Sequence, residues 1–145
     1  MILKTKKINL AWAAGFIDGE GCLRIAKHCV KDRVNPIYNL NLSISQNRLE
    51  TLEHCQAILG VQSSICQFPD RVSFRRSVFV LTYMCANARD AVTLLLPYLV
   101  RKQAEASLAL EFALRLQSRR GGRTPHTPAE IAIREAYYLR MKALK

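Results

Sequence analysis

The sequence has no surplus of acidic residues. Only 11 Asp and Glu stand against 22 Lys and Arg among 145 residues, so the chain carries +11 at neutral pH and has a pI near 9.9. This charge favours a polyanionic partner, with nucleic acid as the first candidate and an anionic membrane surface as the second. A small basic protein that is merely soluble has the same balance, so charge alone does not decide between them.

Long apolar runs are missing as well. The longest stretch, residues 91–100, is interrupted by Thr93 and Pro97 and is too short to cross a bilayer. The basic start at residues 1–10 is not followed by the apolar segment and cleavage site of a secretory signal. We therefore expect an intracellular protein that is not secreted and has no membrane partner.

Several residue patterns that support other chemistries are absent from the sequence. The five cysteines are odd in number and none forms a close pair with zinc-ligand spacing, so we interpret them as reduced side chains. Gly121-Gly122 lies between arginines without the spacing of a Walker motif. We find no pairing of a nucleophile with a base. No small-molecule substrate is therefore expected.

Half of the residues are hydrophobic, which allows a sizeable core in one domain over residues 1–145. Periodicity and capping residues, including Asn47 as a helix cap and Gly60 as a helix stop, predict the order α-β-β-α-β-β-α-α-α. This is an α+β fold in which helices cover one face of an antiparallel sheet, with a core at about 8–117. The predicted helices span about 8–18, 48–59, 88–96, 99–117 and 128–145, and the strands span 22–29, 38–46, 62–68 and 72–83.

The most informative motif is residues 13–21, which read AAGFIDGEG. They resemble the LAGLIDADG motif, and four departures keep the residue class: Ala13, Phe16, Gly19 and Glu20. The segment 97–99 followed by 102–104 and the element order also resemble that family, over roughly the first 115 residues. Because the motif occurs once, the resemblance is to the single-motif, homodimeric LAGLIDADG homing endonucleases.

This resemblance implies a site-specific endonuclease of the intron-homing type. It implies a homodimer that makes a staggered cut with 3′ extensions in long, pseudo-palindromic double-stranded DNA. It also implies Mg²⁺ as cofactor, Mn²⁺ as a substitute, and Ca²⁺ as an ion that supports binding without cleavage. Proteins of this family work in bacterial cytoplasm, in phage-infected cells, or in an organelle matrix or stroma.

The spacing of small residues agrees with two copies acting together. Small side chains at i, i+4 spacing let two helix backbones approach closely. Metal-dependent DNA hydrolysis needs several carboxylate oxygens, and each copy of the motif supplies one such acid, Glu20. The predicted dimer interface consists of Ala11, Ala14, Gly15 and Asp18. A solvated Glu20 in a simple helix stop is the bland alternative.

The roles of the catalytic residues are implied by the resemblance to this family. It makes Glu20 the catalytic and metal-binding acid and adds the backbone carbonyl of Gly19 as a metal ligand. It also gives Gln46 and Lys102 catalytic roles in the outer shell, where Arg101 and Arg48 remain alternatives to Lys102. Asp18 takes a structural role, and Gln46 is equally consistent with an exposed strand-end glutamine.

Polar faces of the predicted strands are the candidate DNA-reading surface, since antiparallel strands fit the major groove. The strand candidates are Arg24, His28, Asn39, Asn41, Ser43, Ser45, Gln67, Arg75 and Ser77. Loop residues predicted to contact phosphates are Lys31, Arg33, Arg119, Arg120 and Arg123. An ordinary solvated surface is the competing interpretation for each of them.

Two other functions remain open at this point. A non-catalytic module, such as an intron RNA maturase or a DNA-binding regulator, can share the fold, and the intact acid at Glu20 favours the nuclease. A peripheral membrane protein is suggested by charge alone and would need a basic amphipathic helix with a broad apolar face.

Overall fold

The computed structural model describes residues 2–69, 77–117 and 126–145. Its centre is a four-stranded antiparallel sheet with the order β1-β2-β4-β3. The strands are β1 (Gly21–His28), β2 (Ile37–Gln46), β3 (Ser64–Pro69) and β4 (Ser77–Met84).

Helices pack against one face of this sheet. They are α1 (Ile2–Glu20), α2 (Leu49–Leu59), α3 (Cys85–Leu95), a 3₁₀ turn (Leu96–Tyr98), α4 (Gln103–Gln117) and α5 (Pro128–Ala143). The buried core joins Leu23, Leu40, Ile44 and Leu81 of the sheet to apolar residues of the helices. The predicted α+β class and element order are confirmed.

Alternation along the strands separates this covered face from an open face. In β2, Leu40, Leu42 and Ile44 are buried, whereas Ser43 is half-buried and Ser45 is exposed. Because paired residues in a sheet share a face, the register Arg24↔Asn41↔Met84 places all three side chains on the open face.

The register of β3 and β4 extends the open face across the sheet. Cys66 pairs with Val80 and Phe68 pairs with Val78, and Val80 in turn pairs with Ser45 of β2. These four residues of β3 and β4 therefore share the face of Arg24. No strand residue on the open face is acidic within the described ranges.

The junction between α1 and β1 has no loop. Helix α1 ends at Glu20 and β1 begins at Gly21. A Cβ atom at Gly21 would lie 2.7 Å from the backbone oxygen of Ile17 and 2.8 Å from its Cγ2. Only glycine fits this close approach, so Gly21 allows the helix to turn directly into the strand.

Several predicted boundaries are wrong. Helix α1 begins at Ile2, well before residue 8, and α4 begins at Gln103 rather than at Leu99. Asn47 does not cap α2, because Arg48 occupies the cap position without a side-chain hydrogen bond. Gly60 ends α2 with a left-handed φ of 61°, as predicted.

Buried ion pairs attach α5 to the rest of the chain. Glu130, almost fully buried, accepts hydrogen bonds from Arg115 of α4 (2.7 Å) and Arg134 (3.0 Å). Glu135 pairs with Lys27 of β1 at 2.8 Å and accepts a hydrogen bond from the Tyr38 hydroxyl. These contacts hold α5 against α4 and the edge of the sheet.

Candidate active site and nucleic-acid interface

Asp18 joins the end of α1 to the turn that leads into α4. Its carboxylate accepts hydrogen bonds from the backbone N–H groups of Val100 (2.7 Å), Arg101 (3.2 Å) and Lys102 (2.9 Å). These N–H groups therefore have partners more than 80 residues away in the sequence. This explains why α4 starts only after Lys102, and it gives Asp18 a structural role.

Those three hydrogen bonds also favour the charged form of Asp18. Partial burial by itself raises the pKa of this carboxyl, but the backbone N–H groups of Val100, Lys102 and Arg101 outweigh it. The ammonium of Lys102 adds a smaller favourable effect, and the pKa of Asp18 lies below its usual value.

Lys102 turns its side chain towards the end of α1. The residue is 7% exposed, and its Nζ donates to the backbone oxygen of Asp18 at 2.6 Å. Arg101 makes a weaker approach to the same oxygen, at 3.5 Å from Nη1. The structure thus brings Lys102 to the last turn of α1, two residues before Glu20, whereas Arg48 belongs to the start of α2.

Glu20 and Gly19 are both exposed at the end of α1. Within the described residues, the Glu20 carboxylate has no hydrogen-bond or ion-pair partner. An unpaired carboxylate beside an exposed backbone carbonyl is chemically suited to bind a hard divalent cation.

A polar pocket lies beside this end of α1. Its lining includes Gly19, Gly21, Arg101, Lys102 and Glu105. Glu105 is not among the site residues predicted from the sequence, because a start of α4 at Leu99 does not place it at this junction. The pocket also includes Cys22, whose Sγ accepts a hydrogen bond from Lys145 Nζ at 3.4 Å.

Gln46 lies at the end of β2 nearest to the α1–β1 junction. The pair Gly21↔Ile44 shows that Gln46 extends two residues beyond the start of β1. Its register partner is Phe79, and alternation places it on the face covered by the helices. Gln46 therefore lies at the end of the sheet where α1 passes into β1, and no hydrogen bond joins its side chain to Glu20.

No cluster of three or more His, Cys, Asp or Glu residues that could hold a metal ion exists in the part of the chain that the structure describes. Glu20 is therefore not part of such a cluster within one copy of these residues.

Helix α1 has one open side made of small and apolar residues. Ala11, Gly15 and Gly19 are exposed, with Ile8 (60%) and Trp12 (41%) beside them. A Cβ atom added at Gly15 or Gly19 would meet nothing within 4 Å. This side of α1 can therefore accept a closely packed neighbour.

Two members of the predicted interface set do not lie open on α1. Ala14 is 0% exposed and belongs to the core, so it cannot contact a partner chain. Asp18 is half-buried and occupied by the turn before α4. Ala11 and Gly15 are the members of that set that lie open, since alternate sides of α1 face the core and the exterior.

The β1–β2 half of the open sheet face is polar and basic. Arg24, His28 and Ser45 are exposed, whereas Asn39 and Ser43 are half-buried on the same face. Asn41 is only 7% exposed, and its buried Oδ1 has no hydrogen-bond partner. Asn41 would therefore reach a base only after a neighbouring side chain moves.

Two candidates from β3 and β4 lie on the other face. Gln67 pairs with Phe79, and Pro69 pairs with Ser77, which places Gln67 and Ser77 on the helix-covered side. They instead hydrogen-bond to each other, with 2.7 Å between Gln67 Nε2 and Ser77 Oγ. The structure thus separates them from the Arg24 row.

Two of the remaining candidates lie in a described loop. Lys31 and Arg33 are exposed in the connection between β1 and β2. Four further predicted DNA contacts lie outside the described residues: Arg75, Arg119, Arg120 and Arg123. No helix in the described ranges is long and apolar enough to cross a membrane.

No protein-family model and no curated protein matches the chain. Solved structures do match it. The homing endonuclease I-CvuI, in complex with the uncleaved I-CreI target in the presence of Mg, superposes with a TM-score of 0.79 and 21% identity. The match covers 97% of this chain and 84% of I-CvuI, and an I-CvuI complex with its own target and Ca matches equally well.

Two further homing endonucleases with DNA match at lower similarity. The archaeal intron-encoded I-Vdi141I has a TM-score of 0.62 and 16% identity over 92% of this chain and 98% of its own. The LAGLIDADG enzyme I-GzeII has a TM-score of 0.68 and 17% identity, over 92% of this chain and 43% of its own. At these identities the likeness shows the fold, which is that of the LAGLIDADG homing endonucleases.

Proposed function

We propose that this chain is a Mg²⁺-dependent, site-specific DNA endonuclease of the single-motif LAGLIDADG family that acts as a homodimer. One observation carries the proposal. Helix α1 ends in an unpaired Glu20, two residues after the Asp18 backbone oxygen that accepts from Lys102, and turns, without a loop, into an open sheet face on which no described strand residue is acidic. In this arrangement the open sheet face would hold a polyanion such as DNA. The Glu20 carboxylate would then reach the phosphate backbone of that polyanion.

The open side of α1 supports a second copy at that point. The described residues of one copy contain no cluster of three such ligands, whereas two copies packed through Ala11 and Gly15 would bring two Glu20 carboxylates to one axis. The fold match agrees with this arrangement, because the chain corresponds to less than half of the longer I-GzeII. Residues 1–145 would then form one domain, and the homodimer would contain two copies of it.

The chemistry assigned to this site is phosphodiester hydrolysis. Glu20 and the Gly19 carbonyl would hold Mg²⁺, which when bound lowers the pKa of water and stabilises charge on the phosphate. Lys102 provides an ammonium near the scissile phosphate, and Gln46 is assigned to orienting water. The water oxygen bonds to phosphorus while the bond to the leaving deoxyribose oxygen breaks.

Recognition of the substrate would be divided between the sheet and the loops. Arg24, His28 and Asn39 would meet base edges in the major groove. Lys31 and Arg33 would contact phosphates, together with the arginines at 119, 120 and 123. The complexes of I-CvuI with DNA, solved with Mg and with Ca, support double-stranded DNA and a divalent cation for this chain as well.

The deciding experiment is the substitution Glu20→Gln. Because it removes charge without changing shape, cleavage of a plasmid that carries a duplex selected for binding in Ca²⁺ should fall at least about 100-fold, on the order of losing one essential group. Binding of duplex DNA in Ca²⁺ should survive. Supercoil relaxation with Mg²⁺, compared with EDTA, measures the cutting.

Glu53→Gln is the matched control, because Glu53 is an exposed acid on α2. It should cut at the wild-type rate. If wild-type protein bound DNA but never cut it with Mg²⁺ or Mn²⁺, the chain would be a non-catalytic binding module. Cutting by Glu20→Gln at the wild-type rate would remove Glu20 from the metal site.

A further inference from the structure

The open sheet face has a second half whose chemistry differs from the first. On β3 and β4 it presents Cys66, Phe68, Val78 and Val80, which we name the β3–β4 patch, and the polar pair Ser64↔Thr82 borders the patch on the same face. Cys66 is exposed, Phe68 is 53% exposed, and the two valines are half-buried. Exposed strand positions that alternate with the core normally carry polar residues, so this apolar patch needs an explanation.

Continuity and charge favour DNA as the occupant of the patch. Val80 is the register partner of Ser45, so the patch adjoins the polar row of β2 without a gap. A second copy of this chain would bring another +11 against a face that already carries Arg24. Like charges oppose that pairing, whereas DNA is attracted to the whole face.

The major groove offers one apolar group to such a patch. Base-pair edges there carry hydrogen-bond donors and acceptors at every pair, and thymine alone adds a C5-methyl group. An apolar side chain set against a purely polar edge would leave buried donors and acceptors without partners, which is costly. A thymine methyl instead gains apolar contact.

We propose that the β3–β4 patch recognises thymine C5-methyl groups, so that each half-site of the target contains thymine beneath Phe68, Val78 and Val80. This inference rests on the proposed function, since it assumes that the open sheet face lies in the major groove. It predicts that the polar side chains of β1 and β2 recognise bases through hydrogen bonds, and that the apolar side chains of β3 and β4 recognise thymines through their methyl groups.

The test removes the methyl groups from the DNA. A duplex is first selected for binding in Ca²⁺ from a library with a randomised core. It is then remade with deoxyuridine in place of thymidine, one position at a time. Burial of one methyl group corresponds to about a four-fold change in affinity. We expect roughly that loss for each thymine under the patch, and none for thymines elsewhere.

Val80→Thr provides the matching change in the protein. Valine and threonine are nearly the same shape and both favour strands, so the fold should persist. Threonine keeps one of the two valine methyl groups, which can still contact a thymine methyl, so the variant should lose part of the four-fold discrimination between thymine and uracil at one position per half-site. Ile133→Thr is the control, because Ile133 lies partly exposed on α5 and should keep full discrimination.

The outcomes separate this inference from the proposed function. A selected duplex that binds and is cut equally well with uracil throughout would overturn the methyl contacts and leave the endonuclease intact. Failure to select any duplex would overturn the proposed function itself. If Val80→Thr instead lowered the sedimenting mass, the patch would be a contact between copies and the inference would be wrong.

Discussion

Asp18 is the residue through which the proposed catalytic groups are positioned. It accepts three backbone N–H groups from the turn at 100–102, and its own carbonyl accepts the Lys102 ammonium. Helix α1, the Glu20 that ends it and Lys102 are therefore coupled through one side chain. A carboxylate with two acceptor oxygens can satisfy this set of donors, and an amide cannot.

Asp18→Asn should therefore weaken the fold and change its response to acid. At pH 7 the free energy of unfolding should fall by about 1–2 kcal/mol, the typical effect of losing a cap or a charged acceptor. The folded state lowers the pKa of Asp18, so its contribution is complete above the ordinary pKa and disappears as pH falls through the lowered one. Urea unfolding of both proteins at pH 7 and pH 3 measures this.

Asp90→Asn is the control for that comparison, since Asp90 is an exposed acid paired with its neighbour Arg89. A surface pair of this kind contributes less than about 1 kcal/mol. The two variants should differ at pH 7 and converge towards wild type in acid. Equal stabilities at pH 7 would show that the Asp18 contacts do not hold the junction.

At the scale of elements, the direct passage from α1 into β1 determines where Glu20 points. A loop at this junction would let Glu20 move relative to the sheet that is proposed to hold DNA. The close packing of Gly21 on Ile17 removes that freedom. The geometry of the proposed site thus depends on one glycine between two rigid elements.

Gly21→Ala should destabilise the protein by about 1–3 kcal/mol, because its new Cβ would press on the backbone oxygen of Ile17 and force a shift. Gly19→Ala, in the same turn but with open space around it, should be neutral or gain up to about 1 kcal/mol from helix propensity. Thermal unfolding of the two variants provides the comparison. Similar melting temperatures would contradict the close contact at Gly21.

For the whole molecule, the open side of α1 predicts the oligomeric state. The protein should sediment near twice 16.4 kDa. Gly15→Leu should shift it towards the monomer and abolish cutting of both strands, because a large side chain holds the two helices apart. Ala136→Leu adds the same kind of bulk on exposed α5 and should remain dimeric. If the wild-type protein were a monomer that cuts both strands, the proposal that two copies each contribute one Glu20 carboxylate would be wrong.

The salt dependence of DNA binding also belongs to this scale. A dimer carries +22, and each neutralised phosphate adds about −0.9 to the slope of log K against log salt. Replacing Lys31 and Arg33 with Ala should flatten that slope by about 0.9 for each lost contact and weaken all sequences alike. Replacing Arg140 and Lys142 of α5 removes equal charge from an element outside the open sheet face and should change the slope less. Equal slopes for the two variants would exclude a local phosphate contact.

Local sequence was sufficient for much of this account. The period-two alternation of β2 identified its buried and exposed faces, because strand geometry depends on successive residues alone. Gly60 marked the end of α2, since few other residues adopt a left-handed backbone at low cost. Residues 13–21 were enough to single out the end of α1 as the point of chemical interest.

Contacts between distant residues decided the rest. The segment 99–102 lies between helical segments and was expected to be helical. Its N–H groups at 100–102 instead donate to the carboxylate of Asp18, which lies 82 to 84 residues away in the sequence, so α4 starts only at Gln103. Ala14 and Gly15 are both small, and only the packing of α1 shows that the first is buried and the second is open. The sheet face on which Gln67 and Phe68 lie is known only from their partners on β4. A shift of the strand register by one residue would move each side chain to the opposite face.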